Sequence, residues 1–147
     1  MEFRLATKKD TEELKELDDI SAKNDAINNQ KFFVLSNNDL INYYLDKKGL
    51  IIAEQDDKII GYILTQNIEW VHGIKKVVWI EHIGTHPAYR KNGVAMKLLE
   101  FTKNYYKDKA DCLYGEIHPL NEKSIRLFEK FDCEIVDRRL VFKEINS

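Results

Sequence analysis

The sequence predicts an α/β fold of the α+β kind, with a mixed, mostly antiparallel sheet of about seven strands flanked by helices. Runs with strand character follow one another through short turns between residues 50 and 85, which is typical of antiparallel hairpins. A strand, an amphipathic helix and a second strand then span residues 75–118, and such a crossover joins parallel neighbours. The 147 residues contain no repeat or linker, so we expect one domain over residues 1–147.

The first third of the chain carries one strand and two helices. The predicted elements are a strand over 2–6, a helix over 8–21, an unassigned polar stretch over Ser21–Ser36 and a helix over Asp39–Lys47. Thr7 and Asp10 form an approximate capping box at the start of the first helix. Gly49 is placed to end the second helix.

Strand patterns dominate the rest of the chain, interrupted by two helices. The predicted elements are strands over Leu50–Gln55, Ile59–Gln66 and Lys75–Thr85, a helix over Val94–Lys107, a strand over Asp111–His118, a helix over Asn121–Phe131, and short strands over Cys133–Val136 and Arg139–Lys143. The longest of these helices has a wide apolar stripe suited to lie on a sheet. The predicted order is therefore βααβββαβαββ.

Composition and charge exclude several classes of function. Lys and Arg total 23 against 25 Asp and Glu, a net charge of -2, so no basic excess indicates a nucleic-acid partner. No apolar run approaches the roughly 18 residues of a membrane span, and the first residues lack a signal-peptide pattern. Cys112 and Cys133 fit no zinc spacing, and the histidines are scattered. We therefore expect a cytoplasmic protein with no metal, no membrane partner and no nucleic-acid partner.

The stretch HPAYRKNGVA, His86–Ala95, places two adjacent cations and a glycine directly before the longest predicted helix. Cations there oppose the helix dipole, whose N-terminus carries partial positive charge, so an anion is expected at the site. A phosphate or pyrophosphate would satisfy the free N–H groups of the first turn, and Gly93 would let the backbone approach it closely. The alternative is a solvated loop with a chance Arg-Lys pair, because short glycine motifs alone are weak evidence.

Three segments in the same order and spacing resemble the GNAT superfamily of acyl-CoA N-acyltransferases. Arg90-Lys91-Asn92-Gly93-Val94-Ala95 is similar to the family motif Arg/Gln-x-x-Gly-x-Gly/Ala, with Pro87 and Tyr89 before it. AEQDDKIIGYI (Ala53–Ile63) resembles the central hairpin of the family. NEKSIRLFEKFDC (Asn121–Cys133) resembles its Asn-x-x-Ala-x-x-Leu/Phe-Tyr-x-x-x-Gly-Phe segment. The resemblance covers almost the whole chain and implies the GNAT fold.

The resemblance implies acetyl-CoA as the cosubstrate. Backbone N–H groups of about Lys91–Met96 would hold its pyrophosphate. The strands at Lys75–Thr85 and Asp111–His118 would separate, and the pantetheine arm would enter the gap and pair with main-chain groups of Ile83 and Thr85. Asn121 would contact the arm from across the gap. The residues assigned to the cosubstrate in this way are Ile83, Gly84, Thr85, Arg90, Lys91, Asn92, Gly93, Val94, Ala95, Met96, Asn121 and Phe128.

Glu81 is the candidate catalytic residue. Transfer to an amine needs the neutral form, whereas a free alkyl amine has a pKa near 10.4 and is mostly protonated. Strict alternation along the strand would place Val77, Trp79, Glu81, Ile83 and Thr85 on one face. A carboxylate between apolar neighbours would have a raised pKa suited to a general base, acting directly or through water. The alternative is a structural carboxylate paired with a nearby cation.

The chain departs from the family pattern at Phe128, where a tyrosine commonly protonates the departing thiolate, and at Asp132, where a glycine is usual. Phe128 has no hydroxyl and would keep only a packing role. Two further functions therefore stand beside an N-acetyltransferase: a non-catalytic acyl-CoA-binding sensor or regulatory module, and a scaffold that has lost the cosubstrate. The intact Arg90-x-x-Gly93-x-Ala95 motif argues against the scaffold.

The acceptor site is expected in the least patterned segment, residues 21–49. The acidic first helix allows a cationic acceptor such as a polyamine, although acids in the first turns of a helix also complement its dipole. We expect a small-molecule or peptide amine as the acceptor. The sequence leaves a homodimer open.

Overall fold

The fold is described from a computed structural model that covers residues 1–23, 35, 37–139, 141 and 143–145. The strands are β1 (Glu2–Leu5), β2 (Leu50–Gln55), β3 (Lys58–Val71), β4 (Ile74–Thr85) and β5 (Cys112–Gly115), and the helices are α1 (Thr11–Lys23), α2 (Asn38–Asp46), α3 (Val94–Tyr106) and α4 (Glu122–Lys130). The strands form one five-stranded sheet in the order β1-β2-β3-β4-β5. Among the described strands, β4 and β5 are the one parallel pair of neighbours, so the predicted mixed, mostly antiparallel sheet with flanking helices is confirmed.

Within the described residues the sheet has five strands instead of about seven, and β5 is its last strand. β5 is four residues long and pairs with β4 only as far as Ile80 and Gly115, so the strand predicted over Asp111–His118 is too long. The strand predicted over Cys133–Val136 is wrong, since the Cys133 N–H donates to the Phe128 carbonyl at the end of α4 instead of to a neighbouring strand. The strand predicted over Arg139–Lys143 lies partly outside the described residues, and its described residues carry no strand.

Two hairpins turn through pairs of residues with positive φ. Asp56 and Asp57 connect β2 to β3 with φ of 52° and 57°, and His72 and Gly73 connect β3 to β4 with φ of 47° and 81°. Two consecutive positive φ angles match the right-handed twist of the strands that flank such a turn. The second hairpin extends β3 and β4 well beyond the other strands.

Helices cover both faces of the sheet. The α1/α2 face is buried by apolar residues from these two helices and from alternate positions of the strands, including Leu14, Ile41, Tyr44, Tyr62 and Leu64. The α3 face is buried by Ile51, Ile63, Ile80, Val94 and Leu98, with the apolar side of α4 packed at its edge. No helix in the described ranges has the length and apolar composition needed to cross a membrane.

The α3 helix lies close to the sheet because β3 has a glycine beneath it. A Cβ atom on Gly61 would stand 2.8 Å from Val94 Cγ1 and 3.2 Å from Leu98 Cδ1. The absent side chain therefore fixes how near the first turn of α3 comes to the strands.

A β-bulge interrupts β4 at Glu81. Leu64 of β3 pairs with His82, whereas Thr65 pairs with Ile80, so Glu81 is an extra residue without a partner on β3. A bulge of this kind changes which side chains share a face. Ile80 and Ile83 both contribute to the α3 face, although they are three positions apart. The prediction that Ile83 and Thr85 share a face with Glu81 is therefore wrong.

Candidate active site

The loop before α3 presents free backbone N–H groups. Lys91 and Gly93 have φ of 67° and 74°, so left-handed residues flank Asn92. Gly93 is the N-cap of α3 and provides no side-chain cap. The first hydrogen bond of the helix runs from the Lys97 N–H to the Gly93 carbonyl, at 3.0 Å. The N–H groups of the preceding helical residues, Val94–Met96, therefore point out of the helix end without helical acceptors, as an anion site requires.

A groove of about 320 Å³ lies in front of these N–H groups. Its lining residues are Thr85, Tyr89, Arg90, Lys91, Gly93, Val94, Ala95, Met96, Lys123, Arg126, Leu127 and Lys130. The structure thus brings together Thr85 and most of the predicted loop residues. Five of the residues predicted to bind the cosubstrate do not line the groove: Ile83, Gly84, Asn92, Asn121 and Phe128.

Basic residues of α4 line the opposite wall of the groove, and they are not among the binding residues predicted from the sequence. Lys123, Arg126 and Lys130 stand three and four positions apart, so they share one side of the helix. Arg126 also pairs with Glu122 at 3.1 Å on the exposed surface. No acidic residue is among the described residues that line the groove. The spacing of these cations was visible in the sequence, but nothing there showed that this side of α4 faces the loop.

One cation of the loop also joins the groove to α1. The Arg90 Nη2 atom donates to the carbonyl of Ser21 at 3.4 Å, in the last turn of α1. Arg90 is half-buried, whereas Lys91 is exposed. Arg90 therefore tethers the loop as well as adding positive charge.

The predicted residues outside the groove have structural contacts of their own. The Asn121 side chain caps α4 by accepting from the Ser124 N–H at 3.1 Å, which leaves its amide NH₂ for other partners. Phe128 is half-buried against the α3 face, consistent with a packing role. Gly84 is buried beneath Tyr62, and a Cβ atom there would stand 2.3 Å from the ring.

β4 and β5 stop pairing immediately before the bulge. Their last pair is Ile80 and Gly115, and in the described part of the chain the rest of β4 pairs with β3 alone. On the side facing β5, main-chain groups of residues 83–85 are thus left for another partner. This is the gap into which the resemblance places the pantetheine arm.

Glu81 lies on the α1/α2 face, beside Trp79. The Trp79 Nε1–H donates to Glu81 Oε2 at 3.0 Å. The Glu81 side chain is exposed, so the burial expected for it is wrong. The expectation treated β4 as a regular strand, whereas the bulge releases Glu81 from the pairing with β3.

Polar and aromatic groups surround this part of the α1/α2 face. Tyr44 is buried and accepts from the Gln66 side chain at 2.8 Å. Burial raises the pKa of Tyr44 to about 12, and the negative charge of Glu81 contributes in the same direction. His82 stacks on Tyr62 at 5.7 Å, and the Tyr62 hydroxyl donates to buried Asp18 at 2.5 Å. The described His, Cys, Asp and Glu residues form no group of three or more able to hold a metal ion.

The sequence matches the family described as "Acetyltransferase (GNAT) family" over residues 12–132. Since this match spans most of the chain, the protein belongs to the GNAT acetyltransferase family. No curated protein matches the sequence.

Solved structures have the same fold at low sequence identity. A transcriptional regulator from Bacillus halodurans C-125 superposes with a TM-score of 0.79 at 18% identity, covering 97% of this chain and 99% of that one. The aminoglycoside N-acetyltransferase AAC(6')-Iy in complex with CoA gives a TM-score of 0.75 at 18% identity, with 97% and 98% coverage. A ribosomal-protein-alanine N-acetyltransferase from Brucella melitensis gives 0.74 at 17% identity, with 98% and 99% coverage. At these identities the likeness shows the fold alone.

Proposed function

We propose that this protein is an N-acetyltransferase that moves the acetyl group of acetyl-CoA to a primary amine. The acceptor is a small molecule, such as a polyamine, or a protein or peptide amine. The observation that carries the proposal is the groove in front of α3, where free N–H groups face a wall of cations. Beside it, a stretch of β4 has no strand on its β5 side in the described part of the chain.

The residues of the groove fit an acyl-CoA. Its pyrophosphate requires hydrogen-bond donors and positive charge, which the N–H groups of Val94–Met96 and the side chains of Arg90 and Lys91 supply. Its amide-containing arm requires main-chain partners, which residues 83–85 offer on their open side. When bound, acetyl-CoA supplies the activated thioester from which the acetyl group is transferred.

Glu81 serves as the general base in this proposal. Its carboxylate takes a proton from the ammonium form of the acceptor, directly or through a water molecule, and the amine nitrogen is left free to attack the thioester carbon. As the N–C bond forms, the C–S bond breaks, and the second proton that the nitrogen loses on becoming an amide passes to the departing thiolate or to solvent. A thiol has a pKa near 8.5, so its thiolate is a tolerable leaving group at neutral pH without an acid. Phe128 can therefore replace a tyrosine without abolishing the reaction.

Two similar structures suggest acceptor classes, one an aminoglycoside N-acetyltransferase and the other a ribosomal-protein-alanine N-acetyltransferase. Both descriptions name amine acceptors, and neither selects between a small molecule and a protein terminus for this chain. The exposed carboxylate of Glu81 beside the Trp79 ring favours an acceptor that carries positive charge.

Glu81→Gln tests the proposal. Purified protein is supplied with acetyl-CoA and a panel of polyamines, aminoglycosides, amino acids and N-terminal peptides, and thiol release is followed. We expect turnover to fall by roughly 10²–10⁴-fold with little change in CoA affinity, and the defect to shrink at high pH, where neutral amine is abundant. Glu69→Gln, an exposed substitution on the extended hairpin, is the control. Equal turnover of Glu81→Gln and wild type at neutral pH, with chemistry rate-limiting, contradicts the assignment.

The second candidate is a non-catalytic acyl-CoA-binding module, favoured by the missing hydroxyl at Phe128. The same panel separates the two functions. A wild-type protein that binds acetyl-CoA tightly and acetylates no amine in the panel supports the module.

A further inference from the structure

The bulge in β4 places two side chains of the α1/α2 face in direct contact. Trp79 and Glu81 are two positions apart, and the indole N–H donates to Glu81 Oε2 at 3.0 Å. Within the described residues, this is the one hydrogen bond to the Glu81 carboxylate, and Oε1 accepts none. Trp79 is half-buried, which restricts the rotation of its ring.

We propose that Trp79 is a positioning residue, whose indole N–H holds the Glu81 carboxylate with one oxygen anchored and the other available to take the proton of the acceptor. This inference rests on the proposed function, in which Glu81 is the base. It assigns to Trp79 a role that is separate from packing.

The chemistry of the indole suits this role. Its N–H is a donor only and does not titrate, so the hydrogen bond persists over the whole pH range of the reaction. Donation to one carboxylate oxygen orients the group and leaves the second oxygen to accept a proton. Glu81, as the bulged residue, has no partner on β3 to restrict its side chain, so a contact with Trp79 restricts the orientation of the carboxylate more strongly.

Other groups also surround the carboxylate. Tyr44 of α2 lies within range of its charge and packs edge-on against Tyr43. His82 follows on β4 and stacks on Tyr62, whose hydroxyl donates to Asp18 of α1. Gln66 of β3 is neutral and donates to Tyr44 instead. The substitutions below leave all of these groups in place, so a change in turnover reports on the indole and on the carboxylate that it contacts.

Trp79→Phe removes the N–H and keeps an aromatic ring. The plateau kcat is expected to fall about 3- to 10-fold, the scale of one lost hydrogen bond, while the Kd of CoA stays unchanged. Trp70→Phe is the matched control, since Trp70 is the other tryptophan of the chain and is 66% exposed at the end of β3.

A double-mutant cycle decides whether Trp79 acts through Glu81. In the Glu81→Gln background, Trp79→Phe should have no further effect on turnover, whereas a purely structural role would lower activity equally in both backgrounds. If Trp79→Phe fails to fold, benzothienylalanine at position 79 in the Trp70→Phe background removes the N–H and keeps the shape of the ring.

The outcomes separate this inference from the proposed function. Wild-type turnover of a folded Trp79 variant, or an equal loss from Trp79→Phe in both backgrounds, overturns the positioning role alone when Glu81→Gln is strongly impaired. Full activity of Glu81→Gln overturns the general base and with it the role of Trp79.

Discussion

Gly93 offers a test of the anion site with a matched control elsewhere in the chain. Gly93 and Gly73 have φ of 74° and 81°, and a Cβ atom on either would meet no atom within 4 Å. Gly93→Glu and Gly73→Glu therefore introduce the same charge and similar backbone strain, about 1 kcal/mol for a side chain in the left-handed region. They differ in place, because Gly93 lines the groove and Gly73 lies at the tip of the β3–β4 hairpin.

The expected loss of affinity follows from Coulomb repulsion. A carboxylate about 6 Å from a pyrophosphate with two charges is repelled by about 1.4 kcal/mol at the dielectric constant of water and about 5.5 kcal/mol at an effective value of 20. The exposed position of Gly93 favours the lower part of that range. We therefore expect Gly93→Glu to weaken CoA binding by about 10- to 100-fold and Gly73→Glu to leave it unchanged.

Calorimetry and thermal unfolding measure this loss independently. Without ligand, the two variants should have the same lowered melting temperature. With CoA at 100 times the wild-type Kd, the Gly73→Glu variant should gain about 2.7 kcal/mol and Gly93→Glu only about 0.4–1.4 kcal/mol. Repulsion between charges weakens with salt, so the difference should shrink in 0.5 M NaCl. Equal CoA affinity of the two variants would refute the assignment of the loop as the pyrophosphate site.

Two further predictions concern the cations of α4 in the groove and the ion pair between Arg4 and Asp10 near the N-terminus. Lys123→Gln combined with Lys130→Gln should weaken CoA binding about 5- to 20-fold and reduce its salt dependence in calorimetry, whereas Lys97→Gln, exposed on α3 outside the groove, should not. Asp10 accepts two hydrogen bonds from Arg4, at 2.8 and 2.9 Å, which lower the pKa of its carboxyl below the ordinary value. The stabilisation is then present above the unfolded pKa and lost as pH falls through the folded one. In urea unfolding, Asp10→Asn should therefore cost about 1 kcal/mol at pH 7 and progressively less as the pH falls below the ordinary pKa of an aspartate.

The sequence predicted best where the local pattern and the tertiary contacts agree. β2 has the bounds expected from its apolar run, and α3 ends one residue before the predicted end. Both elements bury nearly every apolar residue that the pattern marks. The 3₁₀ turn at Lys8–Asp10 replaces the first turn of the predicted helix, because Asp10 turns back to bond the Thr7 N–H at 2.7 Å.

The errors lie where pairing between distant segments decides the structure. The order of apolar and polar residues over Val77–Thr85 is compatible with a regular strand and with a bulged one. The sequence therefore could not show that Glu81 lacks a partner on β3. The apolar residues after α4 read as strands, but Ile135 and Val136 are 41% and 57% exposed instead of paired. The same reason explains why the cations of α4 were not predicted. Their spacing can be read from the sequence of α4 alone, whereas their position on the groove depends on how α4 packs against the loop.

The bulge connects the two halves of the candidate site. Because Glu81 is inserted after Ile80, Trp79 and Glu81 face the α1/α2 side, whereas Ile83 packs on the α3 face and Thr85 lines the groove. In an unbroken alternation the residues after position 81 would exchange faces, and Thr85 would leave the groove. The pairing of β4 with β5 also ends at Ile80, so the gap for the cosubstrate begins at the residue from which the base projects. One extra residue in β4 therefore sets both the position of the carboxylate and the start of the gap. A substitution of the Glu81 side chain removes the carboxylate, whereas the gap persists because it is a property of the backbone.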